Sequence, residues 1–135
     1  MTERELLDLA IAAREHAHTP YSHFRVGAAL LTRGGRVYLG CNIENASFSP
    51  TICAERTAIV KAVSEGERDF VAIAIAGGPG GGALHPACPP CGVCRQVLAE
   101  FCPGEMSVIL GDGDHTETYP LSHLLPWAFT KKDLH

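Results

Sequence analysis

A chain of 135 residues holds one domain rather than two, and it can bury a core without disulfide staples. Apolar residues make up 46% and charged residues 19%, which excludes a disordered chain. The net charge is −4 and the longest basic run is Lys131-Lys132, which excludes the clustered positive surface of a nucleic-acid binder and suits a small uncharged ligand.

Thr2 and Glu5 have capping-box spacing, and Leu6, Leu7, Leu9, Ala10, Ile11 and Ala13 follow at helical intervals. A first helix is therefore predicted to about His16. The first ten residues carry Glu3, Arg4, Glu5 and Asp8 with no apolar stretch behind a basic start, so no secretion signal is read and a cytoplasmic location is expected. Thr19-Pro20-Tyr21-Ser22 breaks the helix. Strands over residues 26–32 and 37–42 flank Arg33-Gly34-Gly35-Arg36, a hairpin signal. A second helix begins at about Cys53, with Ala54, Ala58, Ile59, Ala62 and Val63 as its apolar positions and Gly66 as the residue just past its end. Residues 70–76 form an apolar run rich in β-branched side chains, the mark of a buried central strand and far short of the ~20 residues that span a bilayer. Residues 77–90 read as one long loop. A third helix over 92–101, a strand over 106–110, an edge strand over 116–119 and a short helix over 121–125 complete the chain. This order predicts a single α/β domain over residues 1–135, with helices on both faces of a mixed sheet of about five strands.

The six cysteines are Cys41, Cys53, Cys88, Cys91, Cys94 and Cys102. In a reducing compartment such a set reads as metal-binding or catalytic before it reads as disulfides. Cys53-Ala54-Glu55-Arg56 and Pro90-Cys91-Gly92-Val93-Cys94-Arg95-Gln96 each fall at a predicted helix start, where free N–H groups and the helix dipole favour thiolate. Two such starts facing each other would present Cys53, Cys91 and Cys94 to one metal. Three thiolates suit zinc and leave a fourth position for water, which zinc makes acidic near neutral pH. Glu55 lies two residues after Cys53, off the ligand face, so it is free to move protons instead of binding metal. Arg56 lies at i+3 from Cys53, on the same face, where a guanidinium can draw off the negative charge of three thiolates. A cysteine-bound zinc, a carboxylate that is not a ligand and a C-x-x-C element form the pattern of hydrolytic zinc deaminases.

Three further segments extend the match: Pro20-Tyr21-Ser22-His23-Phe24-Arg25-Val26-Gly27-Ala28-Ala29-Leu30, Gly40-Cys41-Asn42-Ile43-Glu44-Asn45-Ala46-Ser47 and Leu124-Leu125-Pro126-Trp127-Ala128-Phe129. With the two cysteine segments, they make the chain closely resemble the small homotetrameric cytidine deaminases over nearly its whole length. The resemblance implies a three-layer α/β/α fold and conversion of cytidine and deoxycytidine to the uracil nucleosides. It implies one zinc ion per chain on Cys53, Cys91 and Cys94, with Glu55 as proton shuttle. Phe24 would line the base pocket, the Ala54 backbone would contact the base, and Asn42 and Glu44 would hydrogen-bond the ribose 3′-hydroxyl. Phe129 would stack on the base in a neighbouring subunit's site. Two positions depart from the family pattern. Phe48 stands where Tyr is common, and Cys88 adds a third cysteine at C-x-x-C spacing.

Other readings of the same residues exist. Cys41 and Cys102 read as buried apolar thiols. Cys88 reads as a surface thiol, a redox partner or a fourth ligand; the last would close the site and leave no room for water. Without the resemblance, Phe24 and Phe129 read as core and Asn42 and Glu44 as polar strand-end residues. His115-Thr116-Glu117 matches H-x-E, but it opens no helix and no C-x-x-C follows it. The remaining histidines, His16, His18, His23, His85, His123 and His135, read as surface residues. An iron–sulfur carrier would use Cys88, Cys91 and Cys94, but the next position is Leu98 and the Cys-Pro pair at Cys102-Pro103 comes too late. A structural zinc module gives no reason for Glu55. Within the enzyme class, a deaminase of a cytosine-containing antibiotic is the alternative; Arg56, Asn42 and Glu44 favour a plain nucleoside.

Overall fold

Side-chain alternation along neighbouring strands makes two apolar layers from one sheet. The computed structural model describes residues 1–134. Among these, β1 (Phe24–Thr32), β2 (Val37–Cys41), β3 (Phe70–Pro79), β4 (Ser107–Gly111) and β5 (Thr116–Pro120) form one sheet in the order β2-β1-β3-β4-β5. On β3, Ala72, Ala74 and Ala76 point to Leu6, Leu7 and Ala10 of α1 (Glu3–Ala13). Ile73 and Ile75 point the other way, to Ala58 and Ile59 of α2 (Ala54–Ser64) and Leu98 of α3 (Gly92–Phe101). The predicted α/β/α layering and five-strand count are both present.

The helix boundaries follow local chemistry. Thr2 and Glu5 form the capping box reciprocally, at 3.1 and 2.9 Å. The last turn of α1 tightens into a 3₁₀ segment over Arg14–His16. Gly66, at φ 98°, ends α2 as predicted: its N–H donates to the Val63 carbonyl and that of Glu67 to Ala62. A short α4 (Leu121–Leu124) follows β5 directly. No helix of the described residues is long and apolar enough to cross a membrane.

The strand directions decide where the site lies. β1 runs antiparallel to both β2 and β3, so β2 and β3 point the same way; β4 is parallel to β3. The chain therefore makes two crossovers, one through α2 and one through α3. Both helices begin beyond the C-terminal ends of the strands that precede them, at the same end of the sheet. Open α/β sheets bind ligands at that end.

Two paired strands run longer than expected. β3 does not stop at Ala76 but continues to Pro79, because β1 begins two residues earlier than predicted and pairs Phe24 with Pro79, Arg25 with Gly78 and Val26 with Gly77. Gly77 and Gly78 read as breakers locally, yet the partner strand keeps them extended. The loop thus begins after Pro79.

Gly40 of β2 sets the position of α2. A Cβ there would collide with the Ala54 carbonyl oxygen and lie 2.6 Å from the Ala58 nitrogen. Both are helix backbone atoms, so the first turn of α2 would have to move away from the sheet. Gly40→Ala is expected to cost about 1–3 kcal/mol of stability, as overpacking does. Gly34→Ala, whose nearest neighbour would be 3.8 Å away, is expected within about 0.5 kcal/mol of the parent chain. Denaturant unfolding of the two variants checks the contrast.

Candidate active site

Cys53 is the N-cap of α2, Cys91 is the N-cap of α3, and Cys94 lies in the first turn of α3. Because both helices start at one end of the sheet, the three thiols converge. The Cys53 and Cys91 sulfurs are 3.7 Å apart and those of Cys91 and Cys94 3.4 Å, with all three within 4.8 Å of one another. Zinc–sulfur bonds of about 2.3 Å in a tetrahedron place ligand sulfurs about 3.8 Å apart. The donor set and its spacing therefore fit a zinc ion with three protein ligands. Cys94 is buried, Cys53 half-buried and Cys91 exposed, so the group opens to solvent on the Cys91 side.

Charge is unevenly shared within the group. A hydrogen bond from Cys94, aided by Arg56 and Cys91, lowers the Cys53 thiol. Its bond to Cys53, followed by burial, raises Cys94. Negative charge thus gathers on Cys53 first, and a cation must displace the remaining protons. The Arg56 guanidinium sits at the predicted place, with Nη2 3.6 Å from the Cys53 sulfur. That thiolate is the main reason its own pKa rises. The Nε atom of Arg56 is buried without a hydrogen-bond partner among the described residues, which fits a side chain held there by charge.

Glu55, the residue between these two, is buried at 4% exposure and lies outside the metal-ligating group. Burial, reinforced by the Cys53 charge, pushes its carboxyl up to about 7. Cys88 is also outside the group. Its sulfur lies 2.6 Å from where a Cβ on Gly77 would stand, and burial pushes the thiol up to about 11. Cys41 and Cys102 are buried apolar thiols, the second pushed up to about 12 by burial alone.

The other expected residues are spread over the same region. Phe24 reaches the same Gly77 position at 3.1 Å and meets His85 edge-on, with ring centroids 5.1 Å apart. Ala54 is fully buried at the start of α2. Asn42 lies just past β2 and pairs with β1: its Oδ1 accepts from the Val26 N–H at 2.9 Å and its Nδ2 donates to the Phe24 carbonyl at 2.8 Å. Glu44 accepts from the N–H groups of Tyr21 and Ser22, at 3.0 and 3.1 Å, and from the Ser22 hydroxyl. Phe129 is 58% exposed, and Trp127 is fully exposed with φ 54°. Phe48 is exposed and packs edge-on against Tyr21.

Two contacts of α3 lie outside the sequence expectations. Arg95 donates to the Leu124 carbonyl at 2.6 Å and Gln96 to that of Phe129 at 2.7 Å, so α3 ties down the C-terminal segment. Their position directly after Cys94 is the signal that could have found them. The His115 side chain pairs with Glu117, at 3.5 Å, just before β5, and lies outside the metal-ligating group. Of the other histidines predicted at the surface, His16, His18, His23, His85 and His123 are exposed; His135 lies outside the described residues. A cavity of about 900 Å³ beside Arg14, His18 and Arg25 contains none of the cysteines, so its size does not make it the reaction site.

Residues 1–110 match the family model described as the cytidine and deoxycytidylate deaminase zinc-binding region. The chain is 53% identical to a cytidine deaminase of Halalkalibacterium halodurans, over 99% of this chain and 98% of that one. It is 51% identical to a cytidine deaminase of Sporosarcina psychrophila, over 99% and 96% of the two chains. The crystal structure of cytidine deaminase from Burkholderia pseudomallei superposes with a TM-score of 0.88 at 44% identity, covering 96% of this chain and all of that one.

Replacing Cys53, Cys91 or Cys94 with Ala removes one of three donors and leaves two. Each variant is expected to lose its zinc, whereas Cys88→Ala is expected to keep it. Elemental analysis of the dialysed proteins reads the outcome, and loss of zinc from the Cys88 variant would overturn this ligand set.

Proposed function

Because the chain belongs to the zinc-binding cytidine and deoxycytidylate deaminases, we propose that it hydrolyses cytidine and deoxycytidine to uridine and deoxyuridine, releasing ammonia, as a step of pyrimidine salvage in the cytoplasm. The observation that carries this reading is a buried carboxylate, Glu55, set beside three converging thiols but outside their ligand set. Zinc held by Cys53, Cys91 and Cys94 supplies a Lewis acid that makes water acidic near neutral pH.

Glu55 does the proton work. It takes a proton from the water that adds to C4 of the base and passes one to ring N3. It then takes the remaining proton from the added oxygen and gives it to the departing amine. The oxygen ends as the C4 carbonyl, ammonia leaves, and the carboxylate returns to its starting state. A carboxyl with a pKa near the working pH suits both directions of transfer, and burial pushes Glu55 that way. Arg56 donates to the Cys53 sulfur and offsets the negative charge of three thiolates.

The nucleoside is held by groups with bonding capacity left over. An ionised carboxylate has about four acceptor sites. Glu44 uses two on Oε1 and one on Oε2. Asn42 keeps one N–H and one lone pair after its two bonds to β1. Both can therefore take the ribose 3′-hydroxyl. Phe24 lines the base, and the Ala54 backbone contacts it.

Phe129 stacks on the base in a neighbouring subunit's site, within a homotetramer of single-domain chains. Its exposure on a segment clamped by Arg95 and Gln96 supports this placement.

Glu55→Gln keeps the shape and cannot take a proton. It is expected to retain zinc and lose at least about 10²–10⁴-fold in kcat. Arg56→Gln is expected to keep zinc and lose less activity. The cytidine absorbance assay with parallel zinc analysis decides; turnover by the Glu55→Gln variant within about tenfold of the parent chain would remove Glu55 from the role. A chain truncated before Leu124 is expected to hold zinc and be inactive, and light scattering that finds an active monomer of the full chain would end the tetramer proposal.

A further inference from the structure

Three of the side chains proposed to touch the nucleoside, Phe24, Asn42 and Glu44, come from two separate segments of one chain. One side chain joins them. The Ser22 hydroxyl donates to Oε2 of Glu44 and accepts from the backbone N–H of Phe24 at 3.0 Å. The Phe24 carbonyl, in turn, accepts from Asn42. A single hydrogen-bonded path thus runs from Asn42 through the first residue of β1 to Ser22 and on to Glu44.

We propose that Ser22 is a positioning residue for the sugar: it aims the Glu44 carboxylate at the ribose 3′-hydroxyl. The proposal rests on the reading that Glu44 binds that hydroxyl. A serine hydroxyl has one proton and rotates freely until a partner fixes it. Here the Phe24 N–H occupies a lone pair, so the proton is directed at Glu44. The carboxylate is then gripped at both ends, by two backbone N–H groups on Oε1 and by Ser22 on Oε2. That leaves an acceptor position on Oε2, fixed in direction, for a ligand. Ser22 and Glu44 line a cavity of about 390 Å³ with Tyr21, Phe48 and Thr51, so the carboxylate is open to solvent on that side. The bonds from Ser22 also hold Glu44 below the usual carboxylate range, which keeps it an acceptor. Because the Ser22 oxygen takes its second bond from the residue that lines the base, it sets the sugar contact in register with the base contact.

A group that acts through the 3′-hydroxyl must lose its effect when the hydroxyl is absent. The test compares kcat/KM for cytidine and for 3′-deoxycytidine within each variant, so that any loss of folded protein cancels. Ser22→Ala is expected to reduce the preference for cytidine about tenfold, the scale of a hydrogen bond to a charged group. The loss should fall mainly on KM, with zinc content unchanged. Ser22→Thr, which keeps the hydroxyl, is expected to restore most of the preference. If the Ala variant does not fold, Ser22→Cys carries the same comparison with a weak donor. Glu44→Gln is measured alongside. If Glu44→Gln lowers the preference and the Ser22 variants do not, the role of Ser22 is overturned alone. If neither lowers it, the reading of Glu44 falls, and the role of Ser22 with it.

Discussion

Two helix starts meeting at one end of the sheet are the constraint on which the rest depends. β2, β3 and β4 run in one direction, and α2 and α3 make the returns. Each helix therefore begins where its strand ends, and each begins on a cysteine. The free N–H groups of both first turns point to the same small volume, where they favour negative charge. Close packing fixes this arrangement. With no Cβ on Gly40, the backbone of α2 rests directly against β2, and a methyl group there would displace the helix start.

Around that point, burial and charge oppose each other productively. Three thiols crowd within 4.8 Å, which would be unfavourable as three bare thiolates; Arg56 lies against them, with Nη2 3.6 Å from the Cys53 sulfur and its buried Nε without a partner among the described residues. Glu55 sits one residue away in a different environment, with its oxygens out of water and near negative charge. Both disfavour its ionised form, the opposite of what Arg56 does for Cys53. Cys53 and Glu55, two residues apart at the start of α2, are thus shifted in opposite senses, the thiol toward its charged form and the carboxyl toward its neutral one. The helical period makes this possible: i+2 leaves the ligand face and i+3 returns to it.

The polar web on the other side works by a different principle. Asn42 and Glu44 are not held by packing but by backbone groups at the head of β1 and in the turn before it. The turn that interrupts the chain between α1 and β1 is therefore part of the same hydrogen-bonded web, and its bonds tie Glu44 to the head of β1.

The sequence alone determined the elements and the chemistry. Helix periodicity, the Thr2–Glu5 box and Gly66 marked the helix ends, because these are local effects within one turn. The spacing of Cys53, Glu55 and Arg56 specified which side chains share a face, because a helix converts spacing into direction without help from the rest of the chain. The tertiary structure decided what depended on a distant partner. β3 runs on to Pro79 because β1 starts at Phe24, far away in sequence, and pairs with it against the local signal of Gly77-Gly78. Cys88, at the same C-x-x-C spacing from Cys91 as Cys94, packs over Gly77 instead of joining the cluster, because it lies in the loop before the helix start that aims the other two. Ser22 bonds Glu44 across 22 positions, a contact with no periodicity to announce it. Local spacing fixes direction within an element; only the packed fold brings separate elements within hydrogen-bond reach.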